Sequence, residues 1–219
     1  IAGHSQAGLK GTILTSFDLD NYEKQGGPSN WSVFWLNYVI LQLSSSLFTE
    51  KATIDTTQLP KQDPLLINLY SDENPGRAKI VDWLIYRAKH PQYASQATDE
   101  LVAIDRLLQQ NKRRVWILYD ELDLGFGQDY ARRSRALEAL LGWWVEVGPS
   151  LRHITPKILL REDIWNDLNF TNKAHFAGRY VQLRWEEEDL WRLVLRQVLR
   201  SSQTLADLLA KESGVTTDR

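Results

Sequence analysis

The chain contains no cysteine and no methionine, and only 4 histidines, among 219 residues. The lack of cysteine excludes a disulfide framework and any thiolate metal site. The histidines (His4, His90, His153, His175) fall at no metal-ligand spacing, so a zinc site is not expected. Excess charge of one sign is missing too: 26 basic and 28 acidic residues leave a net charge of −2. No bulk positive field recruits nucleic acid, and charge does not indicate a nucleic-acid partner. Ile1 to Lys10 has neither the basic start nor the apolar core of a secretory leader. A long unbroken apolar run is also lacking. The most apolar stretch, WSVFWLNYVILQLSSSLF from Trp31 to Phe48, is interrupted by Ser32, Asn37, Gln42 and Ser44 to Ser46. A membrane span needs about 18–20 largely apolar residues, so this stretch reads as a buried helix and no membrane partner is expected. Together these absences point to an intracellular, cytoplasmic protein.

The missing methionine carries a further expectation. A chain of this size ordinarily holds a few, and this one opens on Ile1. We expect polypeptide that the sequence does not include, and an intact mass above 25.3 kDa is the corresponding result. Spacings across such a junction, above all between Gly8 and Leu9, are then unreliable.

What is present is ordinary for a folded domain: 43% hydrophobic and 25% charged residues. Five short runs read as strands. They are Ile1 to Gly3; GTILTSFDLD, Gly11 to Asp20; VWILY, Val115 to Tyr119; PKILLRED, Pro156 to Asp163; and GRYVQLRW, Gly178 to Trp185. VWILY and ILL are apolar on both faces, as in parallel strands covered by helices. Helical periodicity marks Trp31 to Phe48, Ala78 to Ala88, Leu101 to Leu108 and Tyr130 to Val147. Trp185 to Leu199 opens with EEED, acids that suit the positive end of a helix dipole. Leu205 to Leu209 extends this terminal helical region. Alternating strands and helices imply βα units and an α/β fold with a mostly parallel sheet. Residues 50–75, rich in turn signals (QLPKQDP, SDENPG), read as an irregular insertion.

The motif with the clearest chemistry is VWILYDELD. A buried strand ending in two acids delivers both to the crevice where ligands bind in open α/β sheets. Asp120 can hold Mg²⁺ through its water shell, since Mg²⁺ prefers oxygen ligands. Glu121 can orient or deprotonate the water that attacks a γ-phosphate. Asp123 is expected to cap the following loop. The bland alternative is that acids simply end a strand.

The opening GHSQAG sets Gly3 and Gly8 five apart after a short apolar stretch. Glycines at this spacing let backbone N–H groups converge on phosphate oxygens. The cradle would comprise Gly3, His4, Ser5, Gln6, Ala7 and Gly8. The Lys-Ser/Thr pair that should follow is absent, and Leu9-Lys10-Gly11-Thr12 stands there instead. Three readings stay open: a junction after Gly8 that hides the pair, a degenerate loop using Lys10 and Thr12, or a chance pair of glycines.

Taken in order, RRVWILYDELD, PKILLREDIW and GRYVQLRWEEEDLWRLVLRQVLR resemble the second half of the ATPase module of bacterial P-loop ATPases of the AAA+/STAND assemblage. The likeness covers roughly Arg113 to Arg200, with the opening glycines as an addition; YDEL looks like a Walker B element. The resemblance implies a P-loop NTPase-like five-stranded sheet over residues 1–185, with the glycine-loop strand at its centre. A C-terminal helical lid over residues 186–219 follows. It also implies ATP and Mg²⁺ as cofactors and service as a regulated ATPase switch in signalling or defence. Within it, Asp120 is the metal residue and Glu121 the catalytic carboxylate. Arg161, at the end of the following strand, is the γ-phosphate sensor; pairing with a surface acid is its equal alternative.

Two rivals remain. One is an interaction module that keeps the fold without nucleotide. The other is a serine hydrolase, because Gly3-His4-Ser5-Gln6-Ala7 has the outline of a nucleophile elbow, with His153 or His175 as base. ARRSR, Ala131 to Arg135, reads as a solvated face or as the source of an arginine finger. Trp143 and Trp144 are adjacent on one helix and cannot both face one core, so one of them is expected at a subunit or domain contact; a homo-oligomer or a protein partner is the matching expectation for partners.

Overall fold

The computed structural model describes residues 14–27, 30–49, 76–90, 92–184 and 186–201. The phosphate-loop residues Gly3 to Gly8 and Lys10, the strand Ile1 to Gly3, the insertion at 50–75 and the helical continuation at 205–209 lie outside them. The chain forms two compact units, residues 1–175 and 176–219.

In the first unit helix α1, Ser16–Gly26, occupies the second half of the stretch expected as the second strand, Ser16 to Asp20. The reason is local. The Thr15 side chain accepts the Asp18 N–H at 3.4 Å, and Asp18 accepts the Thr15 N–H at 2.7 Å. This reciprocal cap satisfies donors that a helix start otherwise leaves unpaired, and it starts the helix at Ser16. Helix α2, Trp31–Thr49, is apolar nearly all round and is the central element of the unit. It packs against α3 (Arg77–Lys89), α4 (Gln92–Gln110) and α5 (Tyr130–Val147). Among the described residues, no helix is long and apolar enough to cross a membrane.

Helix α4 ends where Lys112 takes a left-handed φ of 53° and Arg113 donates its N–H back to Leu108 O at 2.9 Å. That closure turns the chain into strand β1, Val115–Tyr119. Asp129 caps α5 by accepting the Arg132 N–H at 2.9 Å. Strand β2, Ile154–Ile158, lies parallel to β1, in register from Val115↔Ile154 to Tyr119↔Ile158. The short helix α6, Glu162–Asp167, follows.

These two strands make up the whole sheet among the described residues. The five-stranded P-loop NTPase-like sheet is therefore overturned: the described residues are mostly helical, with one two-stranded parallel sheet in the first unit. Ser16 to Asp20 of the expected second strand is helix α1, and 180–184 within the expected fifth strand is irregular backbone. The strand expected over Pro156 to Asp163 starts two residues earlier and ends at Ile158. The expectation of strands covered on both faces also fails. Val115, Ile117 and Tyr119 turn inward, whereas Trp116 is 59% and Leu118 65% exposed.

Two side chains set the sheet in place. Asp105, buried on α4, accepts backbone N–H bonds from Arg152 at 3.1 Å, His153 at 2.7 Å and Ile154 at 3.0 Å. It thereby fixes the start of β2. Trp144 on α5 donates its indole N–H to the Tyr119 hydroxyl at 3.2 Å, tying α5 to β1. Burial pushes the Tyr119 phenol well above its ordinary pKa, so it stays neutral. Trp35 on α2 donates to Ala136 O at 2.7 Å. Tyr22, Trp31, Phe34 and Phe126 continue this aromatic core, with Trp31 set edge-on to Phe34 and Phe126. Trp143 and Trp144 are both buried, which corrects the expectation that one of them lies at an external contact. Helix α5 is covered over a broad face, from Ala136 through Leu140 to Trp144, wide enough to hold neighbours 100° apart.

The second unit carries helix α7, Glu187–Ser201. Arg192 pairs with Glu188 at 2.7 Å one turn away. Leu190, Trp191 and Val194 stand exposed.

Candidate functional site

Because β1 and β2 run parallel, their carboxyl ends open at the same edge of the sheet, where Leu159 donates its N–H to Tyr119 O at 2.9 Å. This pairing puts the sequence-predicted acids and arginine at one edge of the sheet. Asp120 and Glu121 leave β1, and Arg161 lies three residues past β2. The Arg161 guanidinium reaches Asp123 at 3.6 Å and Asp163 at 2.7 Å. Asp123 thus faces Arg161, and no side-chain cap from Asp123 forms on the adjoining turn, Leu124–Phe126. The hydrogen bond from Arg161 holds the Asp163 carboxyl below its ordinary value, and the same contact raises Arg161. Both partners are exposed, so the pair is readily exchanged for another anion.

Glu121 has a left-handed φ of 52°, a region that residues with a Cβ enter at a cost. Asp120 Oδ1 accepts the Glu121 N–H at 2.8 Å, which holds this turn and the Asp120 carboxylate. Among the described residues, no three His, Asp or Glu side chains converge as a metal cage. Asp120 suits Mg²⁺ only as one ligand to an ion that a phosphate already carries, the usual way this ion is held.

The other candidates are drawn into the fold. Arg132 donates to Glu23 at 2.7 Å and to Asp20 at 2.7 Å, and Arg135 donates to Glu23 at 2.8 Å. These arginines clip α5 to α1, and Arg133 stacks over Tyr130 at 4.9 Å. His153 lies 3.7 Å from Asp105, but that carboxylate already accepts three backbone N–H bonds, and His153 Nδ1 makes no hydrogen bond. His175 is exposed.

The buried network around Arg87 was not anticipated. Its guanidinium donates to Asn37 at 2.7 Å and Glu100 at 3.0 Å and lies over the Tyr93 ring at 4.5 Å. The signal was present: Arg87 sits seven residues after Ile80, on the apolar stripe of α3.

Comparison with protein-family models, with curated proteins and with solved structures finds no match. The functional reading therefore rests on the residues themselves.

Proposed function

We propose that the chain binds MgATP at the carboxyl edge of β1 and β2 and hydrolyses it slowly, as a switch. The observation that carries the proposal is that Asp120, the strained Glu121 and Arg161 follow strand ends at one edge of the sheet. Strain at a non-glycine residue is kept where the surroundings over-determine it, and such positions cluster at active sites. In this reading Glu121 takes a proton from water as its oxygen attacks the γ-phosphorus. The bond to the β–γ bridging oxygen breaks, and ADP leaves with the electron pair. Asp120 would be the protein ligand to Mg²⁺ carried by the nucleotide, which would supply charge neutralisation on the phosphates. Arg161 exchanges Asp163 and Asp123 for the γ-phosphate, so occupancy alters the link between the two strand ends. The phosphate-cradling role stays assigned to Gly3, His4, Ser5, Gln6, Ala7, Gly8 and Lys10. A cytoplasmic location fits the cysteine-free composition.

The test is steady-state ATP hydrolysis with and without Mg²⁺. Glu121→Gln is expected to keep nucleotide binding and slow turnover by about two orders of magnitude or more, as loss of a general base does. Unchanged turnover removes Glu121 from the role.

A second reading has its own support. Exposed Leu190, Trp191 and Val194 on α7 suit a protein-binding module that uses no nucleotide, with a partner protein or a second copy as its target. Calorimetry on the folded chain separates the two: no heat with MgATP favours the module.

A further inference from the structure

The outward face of the sheet has a composition that the strand-edge chemistry does not use. Trp116 and Leu118 share that face of β1, and Thr155 and Lys157 share it on β2, with Trp116 beside Thr155 and Leu118 beside Lys157. Trp116 is 59% and Leu118 65% exposed, and the Lys157 ammonium lies 4.7 Å from the centre of the Trp116 ring. An indole left open to water on a sheet face has lost the usual reason for being there. A flanking cation makes the surface complementary to an aromatic group that carries negative charge.

We infer that this face is the base-binding platform of a purine nucleoside triphosphate, with the base stacked on Trp116 and the phosphates running along the sheet to Asp120. The inference rests on the nucleotide reading above and specifies its substrate. Asp120 continues the alternation Trp116, Leu118, and four strand residues span about 13 Å. An extended nucleoside triphosphate covers that reach from base to γ-phosphate. Lys157, level with Leu118, sits between the two ends. In the free protein its ammonium rests on the indole; a stacked base displaces it and leaves it to pair with a phosphate oxygen. Stacking on an aromatic ring tolerates any base, because every base has a π-face. The larger purines cover more of the indole, which is why we commit to them.

Isothermal titration of the full chain with MgATP, adenosine and inorganic tripolyphosphate tests the assignment. Trp116 is largely exposed, so Trp116→Ala removes the platform without opening the core. This variant is expected to lose about tenfold or more in affinity for ATP, the usual weight of one base stack, and to keep the parent's affinity for tripolyphosphate. Trp116→Phe is expected to keep most of the affinity for ATP, and Lys157→Ala to weaken both ATP and tripolyphosphate. Equal ATP affinity in the parent and Trp116→Ala overturns the platform while leaving the hydrolysis reading in place. Adenosine binding that depends on Trp116, in a chain that hydrolyses no ATP, overturns hydrolysis and keeps the platform. A parent that binds neither ATP nor adenosine overturns both.

Discussion

Arg87 donates to Glu100 across 3.0 Å, and the two side chains are 0% and 8% exposed. This ion pair joins α3 to α4, and the arginine's bond to Asn37 extends it to α2. Burying two charges is costly in itself, and the pair offsets that cost only while both members are present. Arg87→Met is expected to destabilise the fold by about 3–5 kcal/mol, because Glu100 is left buried and unpaired. The double variant Arg87→Met, Glu100→Leu is expected to recover most of that loss. Urea unfolding of the three proteins gives the comparison; equal stability of the single and double variants counts against the pair.

Asp105 holds β2 by its first residues. Removing its carboxylate leaves up to three backbone N–H groups short of an acceptor, at about 1–3 kcal/mol for each one that stays buried. Asp105→Ala is expected to destabilise the chain by about 3 kcal/mol, with faster hydrogen exchange at the Arg152, His153 and Ile154 amides than elsewhere. Uniform exchange across the molecule argues that the clamp is not what fixes the strand.

Thr15→Ala separates the observed helix from the strand first expected at Gly11 to Asp20. Loss of a helix cap costs about 1 kcal/mol. We expect that loss from Thr15→Ala, and a similar one from Asp18→Ala, which removes the other half of the cap. A stability gain on placing valine at Ser16 would instead favour an extended segment.

The legible parts of the sequence were those with local causes. Val115 to Tyr119 reads as a strand because five consecutive apolar residues end in acids. Tyr130 to Val147 reads as a helix because its leucines recur at three and four residues. The misread segment at Thr15 also had a local cause, the Thr15–Asp18 spacing, but the β-branched run beside it carried more weight. The sheet was overcounted because GRYVQLRW has strand-like composition, while a strand exists only where another strand offers its edge. Contacts such as Asp105 to Ile154, 49 residues apart, have no sequence signature at all. The position of these residues was legible for a simpler reason: Asp120, Glu121 and Arg161 each lie a few residues past a strand, and two parallel strands end together.

The Glu23 cluster predicts an acid-sensitive fold. Burial alone would raise the Glu23 carboxyl, but hydrogen bonds from Arg132 and Arg135 outweigh it, and the group titrates below its ordinary 4.5. Asp20 is lowered as well, chiefly by Lys24. A carboxylate with a lowered folded-state pKa contributes stability above its unfolded value and loses it as pH falls through the folded one. Stability is therefore expected to decline as pH drops below about 4.5, as the unfolded chain takes up protons that the folded pair excludes. Glu23→Gln should be less stable near neutral pH and should flatten the decline, read from denaturant midpoints over a pH series. A parent and variant with parallel pH profiles would remove Glu23 as the source.

In the proposed mechanism Glu121 sets stability against activity. Its left-handed φ of 52° costs on the order of 1–2 kcal/mol for a residue with a Cβ, and glycine adopts that conformation freely. Glycine also gains freedom in the unfolded chain, worth about 0.5–1 kcal/mol in the opposite sense. The balance predicts that Glu121→Gly raises stability by up to about 1 kcal/mol. Glu121→Gln keeps the strain and is expected to leave stability unchanged. Both variants lose the carboxylate, so both are expected to lose hydrolysis. If Glu121→Gly is stabilised and inactive while Glu121→Gln is inactive at parental stability, the strain belongs to the backbone and the chemistry to the carboxylate. A Glu121→Gly variant with lower stability would instead mean that the side chain makes a structural contact at the strand end, and the catalytic assignment would lose its main support.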